Sequence, residues 1–242
     1  MAHPPFEVFD DIDSTNAEAR RRAERGDFGP VWITAARQSA GRGRRGRAWA
    51  TPTGNLAATL LSSTSRSAAD AARLSFVAAL AVADLARAFL PERLVSLKWP
   101  NDLLIGGRKA AGILVESGQA GAGLLWVAVG IGVNLAVAPA VGEPPPTSFA
   151  EHLEGSPAAP LEALEVLADA FERWRGVWDS AGFEPIREAW MRRAHGIGGP
   201  CVVRLTDAEF RGVAEALEAD GALRLRLDGG GVRRITAGDV FF

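Results

Sequence analysis

Residues 94–134 read LVSLKWPNDLLIGGRKAAGILVESGQAGAGLLWVAVGIGVN, and the spacing of their apolar runs decides the architecture. The runs at 95–99, 103–105, 110–116 and 124–134 are short, rich in Val, Ile and Leu, and separated by glycine-bearing turns such as Gly106-Gly107. That pattern predicts successive strands of one sheet. Upstream, 31–36 and 56–61 read as two further buried strands. The alanine-rich stretch 67–90, opened by Ser67 and Asp70 and halted by Pro91, predicts a long helix. It has little polar face, so it belongs in the interior. Thr15-Asn16-Ala17-Glu18 has capping-box spacing for a first helix that runs to Gly26.

Downstream, a proline-bearing loop spans 137–147 and helices are expected over 160–180 and 184–194. Short alternating runs then fill 200–242, the pattern of a small antiparallel β-barrel. The reading is α+β, a mixed β-sheet flanked by helices with a small C-terminal barrel. The HGIGGP stretch at 195–200 supplies a hinge, which divides the chain into 1–196 and 197–242.

Composition narrows the function. At 242 residues, 48% hydrophobic and 23% charged, the chain has ample material for a core. No apolar run approaches the roughly 18 residues of a membrane span, and no secretory signal opens the sequence. With a single cysteine, Cys201, no internal disulfide is available, so a cytoplasmic protein without membrane association is expected. The net charge of −2 argues against bulk attraction to nucleic acid. Of the 27 basic residues only Lys98 and Lys109 are lysines, and both fall in one twelve-residue stretch. Lysine is a compact ammonium where arginine is a rigid fork, so this placement marks Lys109 as a functional candidate against simple codon bias.

Three segments carry chemistry. Arg37, Arg42, Arg44, Arg45 and Arg47 lie within eleven residues that contain no acid, with Gly41, Gly43 and Gly46 between them. Such a loop can cradle an anion with guanidinium forks and inward backbone N–H groups. A solvated turn and an RNA-binding stretch are the competing readings. In 98–102, Pro100 ends a strand and exposes Asn101 and Asp102 at its tip, suited to ribose or magnesium, with Lys109 returning to the same mouth; a plain turn is the alternative. Gly130 and Gly132 sit inside an apolar strand and mark close approach, by a ligand or by packing. His3, His152 and His195 lack metal-ligand spacing, and His152 and His195 are expected at the surface. There is no nucleophile elbow and no P-loop, and Cys201 reads as a core residue.

Together, Asp13-Ser14-Thr15-Asn16, the loop 41–47 with Trp49, the runs 98–102, 108–116 and 130–134, and ITAGDV at 235–240 resemble the biotin–protein ligases in order and separation. The resemblance covers the chain from about residue 10 onward. It implies a class II synthetase-like catalytic domain and an SH3-like C-terminal barrel. It also implies a two-step reaction: biotin and ATP give biotinyl-5′-AMP, and biotin then passes to a lysine of a biotin carboxyl carrier protein domain. By the same resemblance Ser14, Thr15, Asn16, Gln38, Arg42, Gly43, Arg44, Lys109, Gly112, Gly130 and Gly132 contact biotin. Arg44, Arg47, Trp49, Asn101, Asn134 and Lys109 serve ATP, Asp102 holds Mg2+, and Lys109, Arg42 and Arg44 are catalytic. Residues 137–147 are a second candidate lid.

Only thirteen residues precede Ser14, too few for the DNA-binding domain of some relatives, so no operator binding is expected. A homodimer that extends a sheet through 124–134 and a monomer both stay open. The rival functions are a lipoate or octanoate ligase of the same superfamily, an arginine-loop nucleic-acid-binding module, and a non-catalytic biotin-binding protein.

Overall fold

The computed structural model describes residues 3–140 and 144–242. A seven-stranded sheet is built from β1 (Phe6–Ile12), β2 (Val31–Gln38), β3 (Leu56–Thr64), β4 (Val95–Lys98), β5 (Asp102–Ile105), β6 (Arg108–Gly121) and β7 (Leu124–Val133). Its order is β1-β2-β3-β7-β6-β5-β4, with β1 and β2 parallel and every other neighbour antiparallel. The run 94–134 thus folds as a meander whose last strand returns to the middle of the sheet. Because β7 is hydrogen-bonded to both β3 and β6, it has no free edge. Extension of the sheet through 124–134, one of the two possibilities left open, is therefore closed to β7. The outer strands are β1 and β4, with β4 bridged at Leu97 to Ala194.

β1 escaped the sequence reading because Asp10 and Asp11 interrupt its apolar pattern. It is an edge strand, where charge is tolerated and discourages unwanted pairing. Arg37 of β2 ties it down by donating from Nε to Asp11 at 2.6 Å across the parallel pair.

The helices are α1 (Thr15–Glu24), α2 (Ala68–Ala72), α3 (Leu74–Phe89), α4 (Pro160–Ala181) and α5 (Glu184–Met191). The single helix expected over 67–90 is two, joined at Arg73. The alanines of α3 let it lie close against α4 and the sheet, and Leu80 and Leu85 are fully buried. Truncating either to Ala would cost about 2–5 kcal/mol. Trp32 packs edge-on against Phe171 of α4 with ring centroids 5.7 Å apart, which locks helix layer to sheet. Among the described residues no helix is long and apolar enough to cross a membrane.

The C-terminal strands β8 (Pro200–Arg204), β9 (Glu209–Leu217), β10 (Leu223–Leu227), β11 (Val232–Ile235) and β12 (Asp239–Phe241) form an antiparallel sheet ordered β11-β10-β9-β8-β12. β11 and β12 do not pair, so the barrel of the sequence reading is an open SH3-like sheet. Cys201 is buried in it, as its apolar flanks predict. The sheet is keyed to the rest of the chain where Trp99 Nε1 donates to the Gly221 carbonyl at 3.0 Å.

Candidate active site

The start of α1 forms one wall. Ser14, not Thr15, is the cap, accepting from the Ala17 amide at 3.4 Å. Asp13 fixes the approach: it accepts from the Ser14 amide at 2.7 Å and takes both Nη1 and Nη2 of Arg21. Those Arg21 bonds hold the Asp13 carboxyl down at about 2.

Ser14, Thr15 and Asn16 are buried, so their polar atoms need partners. Thr15 donates its amide to Gln38 Oε1 at 2.8 Å, and Gln38 Nε2 donates to Thr51 Oγ1 at 3.0 Å. The Thr15 hydroxyl lies 3.1 Å from Gln38 Oε1 and 2.8 Å from the Thr59 hydroxyl, which lies 2.7 Å from Asn16 Oδ1. Those three contacts share only the two hydroxyl protons of Thr15 and Thr59, and Gln38 Oε1 is served by the Thr15 amide as well, so each oxygen has a partner and keeps a lone pair to spare. Asn16 Nδ2 donates to Glu116 Oε2 at 2.7 Å.

The opposite wall is cationic. The arginine loop turns back on itself, with Gly43 N donating to the Arg47 carbonyl at 2.7 Å and Trp49 N to Gly41 O at 2.8 Å. Its arginines leave in different directions. Arg42 reaches within 3.5 Å of Glu116, Arg44 donates to Asn101 Oδ1 at 3.0 Å, and Arg45 and Arg47 pair with Asp239 of β12. Burial pushes the Arg44 guanidinium below its ordinary value and does the same to the Lys98 ammonium. Lys109 Nζ lies 2.7 Å from Asp102 Oδ1 and 5.7 Å from the Trp49 ring centroid.

The glycines make room for side chains of the walls. A methyl at Gly130 would run into the Asn16 amide, and one at Gly132 into the Trp49 indole. Gly112 also faces Trp49, where a Cβ would sit 3.1 Å from Cζ3. Packing by Asn16 and Trp49 thus accounts for each of these glycines.

The roof comes from the 137–147 segment, of which 141–143 lie outside the described residues. Both ends are stitched down: Asn55 Nδ2 donates to Val137 O at 2.7 Å, and Asn134 Nδ2 to Thr147 O at 3.0 Å. Asn134 Oδ1 is buried without a partner.

Every residue assigned to biotin, ATP, Mg2+ or catalysis by the resemblance lines one cavity of about 680 Å³, whereas Arg37 and Arg45 of the arginine cluster do not. The topology brings the lining residues together because the α1 N-terminus, the loop after β2, the tip between β4 and β5, and the ends of β6 and β7 converge at one end of the sheet. Five participants escaped the sequence reading. Thr51 and Thr59 look like ordinary turn and strand threonines. Glu116 sat in a quoted motif without a role. Asp239 and His195 are distant in sequence. His195, expected at the surface, is half-buried, lines the cavity, and packs edge-on to Phe242 with ring centroids 5.6 Å apart. Burial first, and Lys98 second, push its imidazole below the usual value. His152 is half-buried too, 2.9 Å from Thr147 Oγ1.

A neutral hydrogen-bonding corner facing a cluster of cations across one cavity suits an enzyme that couples a polar-headed acid to a nucleotide polyphosphate. Residues 11–134 match the Biotin/lipoate A/B protein ligase family, and residues 196–242 match the biotin protein ligase C-terminal domain. The sequence is 49% identical to a biotin–[acetyl-CoA-carboxylase] ligase of Paracoccus denitrificans, covering 95% of this chain and 97% of that one. It is 32% identical to the Mycobacterium tuberculosis protein of the same name, over 97% and 88%. In fold it is similar to the biotin protein ligase from Aquifex aeolicus in complex with biotin and ATP, with a TM-score of 0.79 at 22% identity, covering 98% and 97% of the two chains. The chain belongs to the biotin/lipoate A/B protein ligase family and carries that family's biotin-ligase C-terminal domain.

Proposed function

We infer that this chain is an ATP-dependent, AMP-forming ligase that activates biotin as biotinyl-5′-AMP and transfers it to a lysine of a biotin carboxyl carrier protein domain. The observation that carries the reading is the cavity's division into a neutral hydrogen-bonding corner and a cationic wall. A ureido ring brings N–H donors and a carbonyl acceptor on one small apolar body. The corner of Thr15, Thr59, Asn16 and Gln38 presents acceptor oxygens with lone pairs to spare, and the Ser14 hydroxyl has no acceptor among the described residues. A ligand N–H would pair with the first and a ligand carbonyl with the second. A plain acyl chain offers neither, which sets biotin apart from octanoate.

The cationic wall serves adenylation. Two anions must approach, the biotin carboxylate and the ATP α-phosphate. Lys109, Arg42 and Arg44 neutralise that encounter and the charge of the pentavalent transition state. Gly43 gives the loop its turn. Arg47, Trp49, Asn101 and Asn134 complete the nucleotide side, with the unpartnered Asn134 Oδ1 available to an amino donor. Asp102 supplies a carboxylate beside this wall, and no cluster of three or more possible metal ligands occurs among the described residues. That fits Mg2+ held by one carboxylate and the substrate phosphates, where it would offset phosphate charge. The mixed anhydride hydrolyses in water, so the arginine loop and the 137–147 segment shield it until the acceptor amine attacks and AMP leaves.

The acceptor is the carrier domain of a biotin-dependent carboxylase, as the names of the relatives suggest. Residues 1–196 house the chemistry and 197–242 support it. We place the protein in the cytoplasm. DNA binding is not expected, because the net charge is −2 and offers no bulk attraction to nucleic acid.

The test is ATP–pyrophosphate exchange with magnesium across biotin, lipoate, octanoate and no acid. Exchange with biotin alone is expected. Exchange with lipoate or octanoate instead would overturn the substrate and keep the adenylation chemistry.

A further inference from the structure

We propose that Asp239, carried on β12 of the C-terminal sheet, is a positioning residue that grips Arg45 and Arg47 and thereby turns Arg44 inward over the ligand cavity. Between residues 37 and 47 the chain holds five arginines and no acid, so nothing within the loop can offset their mutual repulsion. One carboxylate oxygen from a sheet nearly two hundred residues downstream does so. Asp239 Oδ2 lies 3.4 Å from Arg45 Nη1 and also contacts Arg47 Nη2.

The local backbone explains why this grip orients Arg44. Residues Arg44–Gly46 make a single tight turn in which Arg45 takes the left-handed conformation, φ 56° and ψ 31°. Non-glycine residues adopt that region only at a cost, so something outside the turn must hold it. With Arg45 and Arg47 held by Asp239, Arg44 is the arginine of this turn left to donate to Asn101 Oδ1.

Burial works to raise the Asp239 carboxyl. The Arg47 hydrogen bond and the charges of Arg47, Arg45 and Arg44 together outweigh it and hold the group below its ordinary range, so it is ionised at neutral pH. The anchor is firm, because Asp239 pairs in register with Arg204 of β8 and the next residue, Val240, is fully buried. The C-terminal sheet thus reaches the cavity at Asp239, Val240 and Phe241, with Phe242 just beyond, and through Asp239 it acts on the arginine loop, giving it a stake in how long an intermediate is held. That last consequence rests on the adenylate-forming reading above; the grip itself does not.

The experiment has a ligand-free arm and a ligand arm. Trypsin cuts after arginine and reports how often the loop opens. In the ligand-free protein, Asp239→Asn should speed cleavage within residues 42–47 by about five-fold, the upper range for losing a partly exposed ion pair. Asp239→Glu should restore slow cleavage, which a merely steric role would not allow. Arg45→Gln attacks the grip from the exposed loop side, so it carries the same expectation at the remaining sites Arg42, Arg44 and Arg47 should the Asn variant fold poorly.

In the ligand arm, Asp239→Asn should release biotinyl-5′-AMP faster by a similar factor and raise labelling of a bystander protein. Unchanged cleavage in folded Asp239→Asn and Arg45→Gln proteins overturns the grip. Faster cleavage with unchanged adenylate release overturns its link to ligand retention. A parent protein that forms no adenylate at all would instead sink the functional reading, with the trypsin arm still deciding the grip.

Discussion

Lys109 Nζ and Asp102 Oδ1 stand 2.7 Å apart across the β5–β6 hairpin, so the ammonium expected beside the reacting carboxylate is held by the carboxylate expected to hold the metal. The pair is a close ion contact that leaves Asp102 Oδ1 without a well-aligned hydrogen bond. Substrates change that balance, since incoming phosphates attract the lysine and a divalent cation attracts the aspartate.

Lys109→Ala should therefore abolish most adenylation while leaving the fold intact. The Lys109 side chain is 40% exposed, so its loss leaves little unmade in the interior. Removing one group that stabilises transition-state charge costs about 10²–10³ in rate. Pyrophosphate exchange and a thermal melt measure the two halves. Normal turnover in the variant would remove Lys109 from the mechanism.

Arg42→Gly and Arg44→Gly should loosen the loop and let activated biotin escape. Arg44 loses its bond to Asn101 and Arg42 its contact with Glu116. Non-specific biotinylation of lysines on an added bystander protein is the readout. Retention equal to the parent would argue against a lid made by this loop.

Gly130→Ala should damage the neutral corner through packing. The added methyl occupies the space of the Asn16 amide, which can give way only by leaving Thr59 and Glu116 for the cavity. Overpacking of this kind costs about 1–3 kcal/mol. A lowered melting temperature together with weakened biotin binding by calorimetry is expected, and an unchanged biotin affinity would disprove the role of this corner.

Acid should expose the contribution of Asp13. Its carboxyl is held at about 2, below the ordinary 3.8, by the bonds from Arg21. A depressed carboxylate adds stability that is fully present above the unfolded value and disappears as pH falls through the folded one. Asp13 and Arg21 are both more than a third exposed, so screening keeps the effect within about 1 kcal/mol. Denaturant melts of the parent and Asp13→Asn should differ above pH 4 and converge near pH 2.

Cys201 should stay unreactive toward a thiol reagent in the native protein and react on unfolding. It is buried in the C-terminal sheet, and burial pushes its thiol above the ordinary value, leaving little thiolate. Rapid native labelling, counted by mass spectrometry, would contradict this.

The sequence by itself determined what depends on neighbours along the chain. The meander of 94–134 follows from short apolar runs between glycine turns, and the halt at Pro91 follows from a missing donor. The gathered arginines and the two lysines marked the anion wall for the same reason, since residue type alone fixes which group can carry charge. Edge strand β1 was hidden because its acids are tolerated only by virtue of lying at an edge, which no local pattern reveals.

Tertiary structure decided the partners. Nothing near Asn16 in sequence says that Thr59 and Glu116 will hold its amide, and nothing near Arg47 says that Asp239 will neutralise it. The place of β7 in the middle of the sheet, which closes one of the two possibilities left open for 124–134, is likewise set by long-range pairing with β3 and β6. Hydrogen bonds and ion pairs act over a few ångströms of space regardless of separation along the chain, so only the fold assigns them.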